Sequence, residues 1–357
     1  MAHEDKEIFN WFNFPFCIPE IFCWLFVPSM PFEMTIFVPN LTRQLVKIHR
    51  DLNSFHAQNP VLTIGTFDGV HLGHRKIIAA LHDRAKSING ESVIFTFDPH
   101  PRKIVAPTEG NLRLLTTLDE KIALFEQCGI DHLIIYPFTP EFSQLTYEEF
   151  VENVLVGLIH TKFLVVGYDH KFGKDRQGDF EFLKNCAERF DFQIEKLDVL
   201  LMNEANISST KIREAIQHGD FKTANDCLGY KFMLHGTVVE GQKLGRKIQF
   251  PTANIEASDP DKIIPGHGVY AVHVNFQNQT FQGMLNIGSR PTVNNNADHR
   301  SIEVHIFDFD SDIYGEQIEL VFFRKLREEQ KFPSLEALKD QLAKDRTETL
   351  DYFQNNQ

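Results

Sequence analysis

The sequence predicts two domains of different class: an α/β domain built on a parallel sheet, then a small antiparallel β-barrel with a terminal helix. Three observations carry this. At roughly 150 residues per domain, 357 residues exceed one core. Apolar runs alternate with helix-periodic stretches between residues 60 and 228. After Gly229 the pattern changes to short alternating strands separated by Gly, Asn and Asp turns.

Residues 1–33 stand apart from both domains. Trp11 and Trp24, the two tryptophans, lie there among Phe9, Phe12, Phe14, Phe16, Phe22, Phe26 and Phe32. A signal peptide needs a positive start, and here Glu4, Asp5 and Glu7 outweigh Lys6. A membrane span needs about 20 helix-compatible apolar residues, and Pro15, Pro19, Glu20, Pro28 and Pro31 interrupt this stretch. Ordinary globular sequence begins at Met34. We therefore read Met34 as the natural start and 1–33 as an upstream extension, the alternative being an aromatic segment that adheres to a membrane surface or a partner.

Val61–Gly65, Val93–Phe97, His132–Pro137 and Phe163–Gly167 are continuous apolar runs, the mark of strands buried on both faces. Helix-periodic stretches at 72–87, 117–128, 146–158 and 178–190 alternate with them. A fifth strand near 193–200 leads to a short helix after Ser208. This makes 34–228 one domain, with ligands expected at the strand carboxyl ends. Segments 233–239, 269–276, 280–287, 301–308 and 316–323 read as strands of a barrel or sandwich. Ser334 caps a closing helix to Lys344, so 229–357 is the second domain.

Charge and cysteines narrow the function. The 36 Lys and Arg against 49 Asp and Glu give a net charge of -13, a poor match to a nucleic-acid coat. Cys17, Cys23, Cys128, Cys186 and Cys227 are odd in number and lack zinc or redox spacing, so a reducing, cytoplasmic setting is expected.

The strongest chemical signal is Thr63-Ile64-Gly65-Thr66-Phe67-Asp68-Gly69-Val70-His71-Leu72-Gly73-His74. A buried strand ends in a Gly-flanked turn and a helix follows, so backbone N–H groups and the positive helix end face one point. His71 and His74, three apart, share a face and can donate hydrogen bonds to phosphate oxygens. A turn with two surface histidines is the bland reading. No Walker A sequence occurs anywhere. Three further segments sit at strand or helix ends: Phe97-Asp98-Pro99-His100-Pro101, Gly167-Tyr168-Asp169-His170-Lys171-Phe172-Gly173, and Ile207-Ser208-Ser209-Thr210-Lys211-Ile212-Arg213. His100 between prolines is held rigidly, Asp169 can meet ribose hydroxyls, and each taken alone reads equally as a turn residue. Ser209 and Thr210 read equally as a helix cap or an anion cradle, with Arg213 one turn on as a phosphate clamp.

In the second half, Gly241 and Gly245 allow a tight loop, and Thr252 and Asn254 lie on one side of an extended segment, which by itself reads first as a β-turn and strand and otherwise as a pair of oxygen ligands for a hard cation. Gly266-His267-Gly268-Val269-Tyr270-Ala271 mimics a dinucleotide fingerprint, but strand-like sequence follows it where a helix is required. Asn286 opens a strand-end turn. Ile302, Val304 and Ile306 face one way and Glu303 and His305 the other, so Glu303 is either a solvent-facing carboxylate or a base lining a barrel cavity.

The HxGH string resembles the nucleotidylyltransferase superfamily. Together with the segments above it resembles the prokaryotic bifunctional riboflavin kinase/FMN adenylyltransferases over residues 45–355. The resemblance implies a Rossmann-like first domain that adenylylates FMN with ATP, holding nucleotide through Gly65, Thr66, Phe67, Asp68, Gly73, His71, His74, His100, Asp169, Ser209, Thr210 and Arg213. Many relatives carry a basic residue where Asn206 stands, so one phosphate contact is in doubt. The second domain is implied to phosphorylate riboflavin. There Thr252 and Asn254 bind Mg²⁺–ATP, Glu303 takes the ribityl proton, and Gly241, Gly245, Asn286 and Arg327 lie near the ligands. Expected partners are riboflavin, FMN, FAD and ATP, with no nucleic acid and no membrane, and self-association is left open. The rivals are an enzyme with one working half whose barrel is a flavin sensor, and an RNA-binding regulator.

Overall fold

The buried apolar runs become neighbours in a six-stranded sheet. Its strands are β1 (Lys47–His49), β2 (Val61–Ile64), β3 (Ser92–Asp98), β4 (His132–Pro137), β5 (Phe163–Val166) and β6 (Gln193–Lys196). The order is β1-β4-β3-β2-β5-β6, and every neighbouring pair is parallel. The strand order reverses at β2, which places a topological switch point between β2 and β5. The computed structural model describes residues 45–106, 112–167, 173, 180–197, 207–241, 245, 248–289 and 300–356. The expectations for 1–33, Asp169 and Asn206 fall outside the described residues.

Helices cover the sheet and bring capped ends to its carboxyl edge. Helix α1 (Leu72–Ser87) follows β2, α2 (Pro101–Val105) follows β3, and α3 (Leu118–Cys128) precedes β4. A capping box starts α3: Glu120 N donates to Thr117 Oγ1 at 3.2 Å, and Thr117 N donates to Glu120 Oε2 at 3.0 Å. The stretch read as one helix over 146–158 is a short turn at Tyr147–Glu149 running into a π-helical segment, Phe150–Val156. Phe150, Val151, Val154 and Leu155 are its buried residues.

The second half is a closed barrel of β7 (Met233–Val239), β8 (Ala253–Ala257), β9 (Gly268–Phe276), β10 (Gln279–Ser289), β11 (Arg300–Ile306) and β12 (Gln317–Arg327). All its pairings are antiparallel. Leu234, Val272, Leu285, Val304 and Phe322 fill the interior, as a barrel this small requires. Ile212, Ile216 and Phe221 join the same core from two helices, Ser209–His218 and Phe221–Leu228. The final helix, Leu335–Asn355, runs well past the expected end at Lys344. Among the described residues no helix is long and apolar enough to cross a membrane.

The segment leading into α3 joins sheet and barrel. Leu114 bridges Lys262 in parallel fashion, and Ile263 N donates to Leu114 O at 2.8 Å. Lys262 is buried and pairs with Glu120, and its Nζ also donates to Leu115 O at 2.8 Å. His235 sits between Glu120 at 2.9 Å and Glu319 at 3.1 Å. These two carboxylates raise its pKa to about 9, the hydrogen bond it donates to Glu120 first.

Candidate active sites

The first site forms where β2 ends at the switch point. Phe67, Gly69 and Val70 all take positive φ (48°, 87° and 34°), so the turn is strained at two non-glycine residues. Other elements hold it in place. Asp68 is 2% exposed and its carboxylate accepts from Leu115 N at 2.9 Å and Thr116 N at 3.1 Å. Gly69 N donates to Thr116 Oγ1 at 3.0 Å, and Gly69 O accepts from Tyr230 Oη at 2.7 Å. Gly69 must be glycine twice over, since its φ is left-handed and a Cβ would stand 2.8 Å from Leu115 Cδ1.

His71 and His74 stack, with ring centroids 3.6 Å apart and planes inclined by 14°. His71 caps α1: its Nδ1 accepts from His74 N at 3.3 Å, which leaves the proton on Nε2. Gly73 makes room for that ring, because a Cβ there would approach His71 Cε1 to 3.1 Å. His100 repeats the device at the start of α2, where its Nδ1 accepts from Arg102 N at 3.2 Å. Burial lowers the pKa of His71 and of His100 to about 4 and holds His74 well below the usual histidine range. All three rings are therefore neutral near pH 7, and His71 and His100 present a single N–H each.

Several expected phosphate ligands are engaged elsewhere. Asp68 points inward to the backbone of 115–116. Arg213 turns onto Asp68 as an ion pair, and its Nε donates to Arg113 O at 2.8 Å. The guanidinium expected to clamp phosphate is therefore engaged by a buried carboxylate. Ser209 Oγ donates to Asp68 O at 3.0 Å, while Ser208 is the cap, accepting from Lys211 N at 3.2 Å. Thr210 is exposed in that first turn. Gly65 follows β2, its N donating to Phe95 O at 3.0 Å, and Thr66 O accepts from Thr96 Oγ1 and Lys121 Nζ. Phe67 packs edge-on to His74, centroids 5.0 Å apart. Lys121 escaped the sequence analysis. Its signal was a cation in the first turns of a helix, where carboxylates are preferred.

The second site lies on the barrel wall. Glu303 pairs across strands with Asn254 on β8 and Asn286 on β10, so the three side chains form one row. The inner face is taken by Ile302, Val304 and Ile306, which are 3%, 0% and 7% exposed. Glu303 thus stands on the outer face under the segment leading into β8, and not in a barrel lumen. Asn286 lies within β10 and not in a strand-end turn. Thr252 Oγ1 is 3.4 Å from Glu303 Oε2, and His305 Nδ1 is 2.7 Å from Pro251 O. Gly241 closes on this row: a Cβ would fall 2.0 Å from Asn254 Nδ2. Gly245 packs against Phe250 O with equally little room. A cleft of about 490 Å³ opens beside Thr252, lined also by Val238, Val304, Phe309 and Tyr314. Arg327 ends β12, opposite Val269 of β9, which pairs in turn with Asn286. The Arg327 guanidinium binds Asp345 of the last helix through Nε at 3.0 Å and through Nη2 at 2.7 Å.

Comparison with known proteins adds the following. Residues 54–211 match the family described as FAD synthetase, and residues 228–353 match the family described as riboflavin kinase. A bifunctional riboflavin kinase/FMN adenylyltransferase of Haemophilus influenzae is 40% identical over 300 residues, 84% of this chain and 96% of the relative. Its counterpart in Listeria monocytogenes is 39% identical, covering 83% of this chain and 93% of the relative. A crystal structure described as a macrolide-efflux protein from Streptococcus pneumoniae superposes with TM-score 0.76 at 30% identity, over 85% of this chain and 98% of that one.

Proposed function

Because the chain belongs to the bifunctional riboflavin kinase/FMN adenylyltransferases, it phosphorylates riboflavin to FMN and adenylylates FMN to FAD, and we propose that each transfer uses one of the two sites described above. Adenylyl transfer is assigned to 34–228 and the kinase to 229–357. In the first reaction a phosphate oxygen of FMN attacks the α-phosphorus of ATP. A new P–O bond forms, the bond to the β-phosphate oxygen breaks, and pyrophosphate leaves. Neutral His71, His74 and His100 donate N–H bonds to the phosphate oxygens as charge builds on them, and the N-terminus of α1 adds its dipole. Asp68 and Arg213 hold the turn that presents those rings. Thr210 is the hydroxyl of its cluster left facing the ligand.

In the second reaction Glu303 accepts the proton of the ribityl hydroxyl, whose oxygen attacks the γ-phosphorus of ATP and releases ADP. Thr252 and Asn254 supply hard oxygen donors beside that carboxylate, a donor set that fits Mg²⁺. The bound ion would neutralise charge on the ATP phosphates. Asn254 and Asn286, flanking Glu303 in its row, orient it. The observation that carries the assignment is the presence of two separate polar constellations, one at the switch point and one on the barrel wall.

Two variants test it. Glu303→Ala should lower riboflavin phosphorylation by about 10²- to 10⁴-fold and spare adenylylation of supplied FMN. His74→Ala should do the converse, costing about 10²- to 10³-fold in adenylylation. Chromatography of flavins after incubation with MgATP reads both, and equal loss of both activities in either variant would refute separate sites.

A further inference from the structure

Lys121 lies beneath the adenylyl-transfer turn and the reaction written above does not use it. The side chain is 7% exposed. Nζ donates to Thr66 O at 3.0 Å, a carbonyl shared with Thr96 Oγ1 at 3.3 Å. Thr66 belongs to the strained turn that leads to His71. Phe125, one helical turn beyond Lys121, meets the edge of Phe67 at 5.6 Å, and Phe67 in turn meets His74 at 5.0 Å. Helix α3 is thus locked to the turn through both a hydrogen bond and aromatic packing.

The other buried lysine among the described residues is held differently. Lys262 is paired directly with Glu120, as a buried structural cation should be. Lys121 has no carboxylate within ion-pair distance among the described residues, and one backbone carbonyl is its hydrogen-bond partner there. Burial lowers the pKa of Lys121, and two carboxylates oppose this from beyond ion-pair distance: Asp68, already taken up by the 115–116 backbone and Arg213, and Asp98 at the end of β3. A desolvated ammonium left largely unneutralised costs stability. It is retained where an anion completes its surroundings.

We propose that Lys121 is a further positioning residue for adenylyl transfer, holding the Thr66 carbonyl and setting a fixed positive charge behind the His71–His74 pair where the triphosphate gathers. The proposal rests on the assignment of adenylyl transfer to that site. Burial is the main reason the rings are neutral, and Lys121 adds to it at His74 and His100. His74 faces His71 and Lys121, and both oppose its protonation, as burial does. At His100 burial again leads, the Asp68 carboxylate opposes it, and Lys121, Arg213 and Arg102 add to it.

The test uses the full chain, measuring FMN adenylylation and riboflavin phosphorylation on the same preparations of Lys121→Met and Lys121→Arg. Lys121→Met should lower kcat for adenylylation by about 10- to 100-fold, with the KM for FMN changed by less than about threefold. Riboflavin phosphorylation should persist, Lys121→Arg should recover most of the lost rate, and the acid limb of the adenylylation profile should move up in Lys121→Met. Wild-type adenylylation in Lys121→Met would overturn the proposal. If Lys121→Met loses both activities, recovery of adenylylation in Lys121→Arg supports the proposal and its absence overturns it. His74→Ala, run alongside, separates the premises: a wild-type adenylylation rate there removes the site assignment itself.

Discussion

At the scale of single residues, the transferase site depends on histidines that stay uncharged. A buried ring whose pKa is depressed from 6.5 to about 4 contributes full stability above 6.5 and loses it as the pH falls through 4. For His71 alone this is worth roughly 3 kcal/mol. Denaturant titrations should therefore show stability falling between pH 6.5 and 4, with His71→Asn flattening that slope. The adenylylation rate should keep its acid limb below pH 6.5 for the same reason. The residue types of this site were legible in sequence, because Gly-flanked turns and HxGH at a strand end announce an anion site. Their partners were not. Arg213 and Arg327 were both read as ligand contacts, and both are spent on buried carboxylates, Asp68 and Asp345, which lie 145 and 18 residues away in the chain. Spacing along a chain says nothing about such distant pairings.

At the scale of elements, long apolar runs were readable and short or polar pieces were not. β2 to β5 follow from uninterrupted apolar sequence. β1 is three residues, Lys-Ile-His, and owes its place to pairing with β4. β8 was read only as an extended segment, and the helix Phe221–Leu228, with its Asp220 cap, was missed beside a Gly-rich boundary. The last helix outran its expected end because Asp345, Thr349 and Phe353 are buried contacts that periodicity near Ser334 does not reveal. Asp345 is 1% exposed and binds Arg327 at the end of β12. Asp345→Ala leaves that guanidinium without its partner and should cost about 2 to 4 kcal/mol in thermal unfolding. Both catalytic rates should survive at a temperature where the variant is folded.

At the scale of the whole molecule, one strap serves both halves. Residues 114–121 clasp the Asp68 turn on one side and Lys262 and His235 of the barrel on the other. Glu120→Ala strands the buried Lys262 ammonium and should cost about 3 kcal/mol or more, replacing a single calorimetric transition by two. The pH dependence runs opposite to that of the transferase histidines. His235 has a raised pKa, so its contribution is complete below 6.5 and is lost as the pH climbs through about 9. Unfolding scans across that alkaline range should show it. The closed barrel also has a consequence for assembly. A ring of strands offers no open rim, and the sheet terminates in two stubs of three and four residues, Lys47–His49 and Gln193–Lys196, each bearing lysine. Among the described residues these edges give a second copy little backbone to pair with, so crowding this protein should not seed fibres through them.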